Sequence, residues 1–133
     1  DEGNVKKENI ILVGIRGVDI KEIDLLRDEK IKFFSMKQIF AERDKICDFI
    51  METCRKWPGF YLSLDIDVVD PAFAPGTGYL EPGGLTSREF LYFLQRLKLL
   101  KNLQAVDLVE INPDKDINGM TCKLGARVIA ELL

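Results

Sequence analysis

Residues 60–78 read FYLSLDIDVVDPAFAPGTG, an apolar run that passes directly into three carboxylates, Asp65, Asp67 and Asp70, and then into chain stiffened by prolines and glycines. The apolar part suits a strand buried in a parallel sheet. In open parallel α/β sheets, ligands bind outside the carboxyl ends of the strands, so these acids stand where a site is built. Side chains alternate along a strand, which predicts Asp65 and Asp67 on the same side, able to address one ion or a close pair. Hard oxygen ligands suit Mg²⁺ or Mn²⁺, whereas zinc or iron ask for more imidazole or thiolate. Histidine is absent from all 133 residues, although hydrolytic metal centres normally draw on it. The stretch therefore reads as half of a metal site.

Residues 67–85 hold three of the chain's five prolines and four of its ten glycines. Long connections with such restraint tend to be functional. Asp70, immediately before Pro71, also suits a turn in which its carboxylate accepts backbone amides. The segment APGTG, residues 74–78, is like a phosphate loop only superficially, because no Lys-Ser/Thr follows and no helix opens there. Thr86 and Glu89 form a T-x-x-E capping box and predict a helix over residues 87–98, with Phe90, Phe93, Leu94 and Leu97 on one face.

Further out, residues 10–14 (IILVG) predict a strand buried on both faces, residues 21–27 a short helix and residues 31–34 another strand. From 36 to 56, Ile39, Phe40, Ile46, Cys47, Phe49, Ile50 and Cys54 recur at steps of three and four, an amphipathic helix closed by Pro58-Gly59. Residues 103–111 (LQAVDLVEI) predict a strand stopped at Asn112-Pro113, and residues 121–133 a last helix. Strands joined by helical crossovers imply an α/β fold with a parallel sheet covered on both faces. Glu110, at a strand end, has three candidate roles: metal ligand, structural acid, or partner of a cationic substrate, since a carboxylate binds a guanidinium through two parallel hydrogen bonds.

The composition fits one soluble domain or part of one: 47% apolar, 31% charged, with no apolar run of membrane-spanning length. Nineteen basic residues against 22 acidic, scattered along the chain, argue against a nucleic-acid partner. Three cysteines without metal-type spacing, Cys47, Cys54 and Cys122, suit buried thiols in a reducing compartment. The opening residues 1–4 carry neither an initiator methionine nor the basic and apolar regions of a signal peptide, from which a cytoplasmic origin and a piece of a longer polypeptide are expected.

Taken together, residues 63–78, the EPGGLT of residues 81–86 and the VDLVEINP of residues 106–113 resemble the carboxyl-terminal half of the ureohydrolases, the arginase and agmatinase family. The resemblance covers most of the chain, and Glu81-Pro82 leans toward agmatinase. It implies a three-layer α/β/α sandwich around a parallel sheet, incomplete in this chain, with residues 1–133 as the carboxyl-terminal part of a single domain. It also implies hydrolysis of a guanidino or formimino group with two Mn²⁺ ions, agmatine to putrescine being the expected reaction. Arginase, guanidinobutyrase and formimidoylglutamase are the alternatives. Carried onto this chain, Asp65 bridges both ions, Asp67 binds one, and Glu110 faces the substrate guanidinium. Family members commonly assemble as trimers or hexamers.

Two departures qualify the resemblance. The family's Gly-Gly-Asp-His and Asp-Ala-His-x-Asp ligand segments are absent, so this chain by itself is expected to be inactive. Tyr79 and Leu80 stand where Thr-Pro is usual, which changes the substrate side of that loop. Two competing expectations follow: a metal-less module acting by association, and a haloacid-dehalogenase-type phosphatase, whose first motif is also an apolar strand ending in D-x-D but lies early in its chain.

Overall fold

The computed structural model describes residues 5–133; residues 1–4, on which the reading of the chain's opening rests, lie outside the described residues. Strands and helices alternate as β1 (Ile11–Ile15), α1 (Ile20–Asp28), β2 (Lys32–Ser35), α2 (Met36–Arg55), β3 (Phe60–Asp65), α3 (Ser87–Leu97), β4 (Leu103–Val109) and α4 (Met120–Leu132). Every element expected from periodicity is present.

The helix starts follow from local chemistry. Asp19 with Glu22, Ser35 with Gln38, and Thr86 with Glu89 each form a reciprocal capping box that satisfies otherwise unpaired amides at the first turn. Helix α4 lacks a cap at Gly119. Asp116 substitutes, its carboxylate accepting from the amides of Thr121 at 3.0 Å and Cys122 at 2.9 Å. Helix α2 is broken at Glu42, whose φ of −142° lies outside the helical range, and Phe40 just before that break is exposed rather than part of the core stripe.

The strands pair in parallel, β1 with β2 and β3 with β4, as two separate two-stranded sheets. The parallel pairing expected from the alternation of strands and helices is present in both pairs. One apolar core nevertheless unites the pairs: Phe34, Ile39, Ile46, Ile50, Leu64, Ile66, Phe93, Leu94 and Val128 belong to a single cluster drawn from both. Removing each such side chain from water contributes about 1.5–3 kcal/mol. Cys47 and Cys54 sit in this core, and burial pushes both thiols up, that of Cys54 to about 11.

Covering is one-sided where two-sided burial was expected. Along β3, Phe60 and Leu64 are buried, but Tyr61, Ser63 and Asp65 are exposed, as are Gln104, Ala105, Val106 and Val109 of β4. Alternation puts the exposed residues of β3 on one face, so that face lacks a covering layer among the described residues. No helix among these residues is long and apolar enough to cross a membrane.

Candidate metal centre

Strand β3 ends at Asp65, one residue earlier than its apolar run suggests, because residues Ile66–Val68 turn as a 3₁₀ helix. Ile66 drives the turn inward: its side chain is fully buried, while Asp65 on one side is exposed and Asp67 on the other is half-buried. The convergence of the two aspartates therefore comes from a turn and not from strand alternation. Asp65 Oδ1 accepts the Asp67 amide at 2.8 Å, fixing the pair locally.

The second arm comes from β4. That strand stops at Val109, and Glu110 adopts a left-handed backbone with φ of 67°, a conformation that costs a non-glycine residue energy and is found where a side chain must be aimed. Burial raises the Asp67 carboxyl to about 6, helped by the nearby negative charges of Asp65 and Glu110 and opposed by Arg16. Asp65 and Glu110 are thus near enough for their charge to act on Asp67. Clustered, underneutralised carboxylates at strand ends relieve their repulsion by binding a cation.

Arg16 and Thr77 are the site residues that the motif reading missed. Arg16 follows β1 and reaches across to the acidic loop, its guanidinium donating to the carbonyl of Asp67 and, at 2.9 and 3.2 Å, to the carbonyl of Glu81. Thr77, 2% exposed, donates its hydroxyl to Asp67 Oδ1. The strand-end rule that singled out Asp65 applies equally to Arg16. Thr77 lies inside the segment set aside as a poor phosphate loop.

Asp70 behaves as the turn residue of the alternative reading. Its carboxylate accepts from the amides of Ala72 at 2.9 Å, Gly83 at 2.7 Å and Gly84 at 3.1 Å, and these bonds hold it below the usual carboxylate range. They draw the EPGGLT segment against the start of the loop, where Val69 and Leu85 form a parallel bridge. Gly84 is required there, since a Cβ would lie 2.5 Å from the Asp70 nitrogen. Glu81-Pro82 is held by its backbone, through Arg16, in the same closure.

Oxygen donors, local negative charge and strand-end placement suit a hard divalent cation. The set is short, however: among the described residues no group of three or more His, Cys, Asp or Glu side chains is arranged to hold a metal ion. Asp65 and Asp67 fit such an ion as part of a ligand set, not as the whole of one.

Parallel strands alternating with helices define an α/β protein with acids at its strand ends. Comparison with known proteins narrows this. The Arginase family model matches residues 1–133, and the chain belongs to that family. An arginase of Staphylococcus aureus (strain MRSA252) is 37% identical over 130 residues, 94% of this chain and 42% of the relative. The arginase of Bacillus caldovelox superposes with a TM-score of 0.91 at 28% identity, over 96% of this chain and 44% of that one. The proclavaminate amidino hydrolase of Streptomyces clavuligerus superposes with a TM-score of 0.85 at 35% identity, over 96% of this chain and 42% of that one. The arginase-like fold expected from the resemblance is thereby established, and the chain spans less than half the length of these relatives.

Proposed function

We propose that residues 1–133 are the carboxyl-terminal part of a single ureohydrolase domain that hydrolyses a guanidino group and releases urea. The observation that carries this reading is the placement of Asp65, Asp67 and Glu110 at the ends of two paired parallel strands, with Asp65 and Glu110 both acting on the Asp67 carboxyl, in a chain of the Arginase family. Two Mn²⁺ ions are the proposed cofactor, with Asp65 and Asp67 as this chain's ligands and the remaining ligands supplied from outside it. When bound, such a pair supplies a water nucleophile at neutral pH.

The chain's own residues hold and orient. Asp65 and Asp67 present carboxylate oxygens on a turn locked by Ile66. Glu110, aimed by its left-handed backbone, offers two acceptor oxygens to a planar guanidinium. Its Oε2 lies near the Gly78 position, 4.0 Å from where a Cβ there would stand, an ordinary contact distance. Arg16 keeps the turn from moving.

Arginine leads as substrate, because the relatives matching at 32–37% identity carry the name arginase. Agmatine is the second reading, on Glu81-Pro82; the closure of that segment through Asp70 and Arg16 gives the dipeptide a structural duty and weakens it as a marker of substrate. The proposed setting is a homo-oligomer in the cytoplasm acting on a small guanidino compound, without nucleic-acid or membrane partners. The test is urea release, with Mn²⁺, from arginine, agmatine and guanidinobutyrate by the longest polypeptide that carries this chain. Urea from one of the three is expected; none from any of them overturns the proposal.

A further inference from the structure

We propose that Thr77 is a positioning residue for the metal ligand Asp67, held in place by the start of helix α4 some 45 residues further along the chain. The inference rests on the metal-centre reading above and adds the element that sets the geometry of its more buried ligand.

The freedom left to Asp67 is small. Its amide donates to Asp65 Oδ1 and its carbonyl accepts from Arg16, so its backbone is fixed on both sides. What remains is rotation about the two side-chain torsions. The Thr77 hydroxyl donates to Asp67 Oδ1 and is the side-chain contact that opposes the swing, leaving Oδ2 for an ion.

Thr77 is itself immobilised. Its neighbour Gly76 donates its amide to Thr121 Oγ1 at 2.7 Å and accepts the Asn112 amide on its carbonyl at 2.8 Å. Thr121 is fully buried in the first turn of α4, and that turn is capped by Asp116. The approach is close enough that a Cβ on Gly76 would lie 2.7 Å from the Asp116 Cβ. The loop is thus clamped between β4's exit and α4's start, and the clamp ends on one hydroxyl aimed at one carboxylate. A hydroxyl needed only to satisfy itself would be met by any carbonyl; this one meets a ligand. Partners that orient metal ligands typically tune affinity by 10–100-fold.

The test uses the 133-residue chain with Mn²⁺ as probe and Mg²⁺ as diamagnetic control, read by paramagnetic broadening of the amide signals of Asp65, Ile66 and Asp67. Thr77→Val keeps the shape and deletes the donor; Thr77→Ser keeps the donor. Thr77→Val is expected to raise the Mn²⁺ concentration for half-broadening by about tenfold or more, and Thr77→Ser to stay within about twofold of the parent. Equal concentrations for Val, Ser and parent, with spectra that remain folded, overturn the positioning role while leaving the metal site standing. If Thr77→Val does not fold, Thr77→Ala takes its place: a loss of about tenfold or more beside a Thr77→Ser within about twofold supports the role, and equal values for Ala, Ser and parent overturn it. Absence of any broadening in the parent at Mn²⁺ concentrations that saturate free carboxylates overturns the metal-centre reading, and this inference with it.

Discussion

Asp67 and Asp70 lie three residues apart on one loop, and their surroundings could hardly differ more. Asp70 accepts three backbone amides and is held below the ordinary carboxylate range. Asp67 receives the Thr77 hydroxyl, sits beside two other acids, and is raised to about 6. A carboxylate whose bonds come from the backbone of its own loop is part of the architecture; one held against like charge by a distant hydroxyl suits a ligand role. The site is built by placing the second kind on a frame made by the first.

The contrast is broken most forcibly at the ligands. In the longest polypeptide carrying this chain, Asp65→Ala and Asp67→Ala should each lower kcat/KM for urea release by at least about a hundredfold, with the fold kept, as circular dichroism would verify. An active Asp67→Ala protein would refute the assignment. Glu110→Gln should instead raise KM for the guanidino substrate, since the charge-assisted pair is lost while the metal ligands stay.

Next come effects on the frame. Ile66→Ala empties a fully buried position between the two acids and should destabilise the chain by about 2–5 kcal/mol in urea unfolding. Asp70→Ala should cost less, about 1–3 kcal/mol, by leaving amides of Ala72, Gly83 and Gly84 without their acceptor. Equal stability of Asp70→Ala and Asp67→Ala would erase the distinction drawn above.

A smaller effect is the dependence on pH, and the two acids act with opposite sign. The folded chain holds the Asp67 proton between 3.8 and about 6 while the unfolded chain has released it, so stability falls as pH rises through that window. Asp70, depressed in the fold, contributes stability above its unfolded pKa and loses it as pH falls through its folded value. Thermal unfolding of metal-free Asp67→Asn against the parent should show the first dependence removed and the second intact.

Periodicity and caps made the elements legible in advance: the Thr86-Glu89 box, the Pro58-Gly59 stop and the strand-end acids are all local patterns. Which strand pairs with which was hidden, because pairing partners are chosen by tertiary contacts and not by the alternation within either strand. The turn at Ile66 was hidden for a related reason: an isoleucine in an apolar run reads as strand, and only the core beneath it makes it a pivot. Arg16 and Thr77 act across 51 and 10 residues, and no spacing rule announces a guanidinium on a carbonyl or a loop hydroxyl on a ligand.

The central claim, that this chain carries the carboxylate share of a two-manganese centre and not a whole one, is tested most directly by titrating residues 1–133 with Mn²⁺ and following the free ion by electron paramagnetic resonance. The account predicts binding no tighter than millimolar, weakened further by Asp65→Asn and Asp67→Asn. A tight stoichiometric site in this chain by itself, or one indifferent to both substitutions, would contradict it.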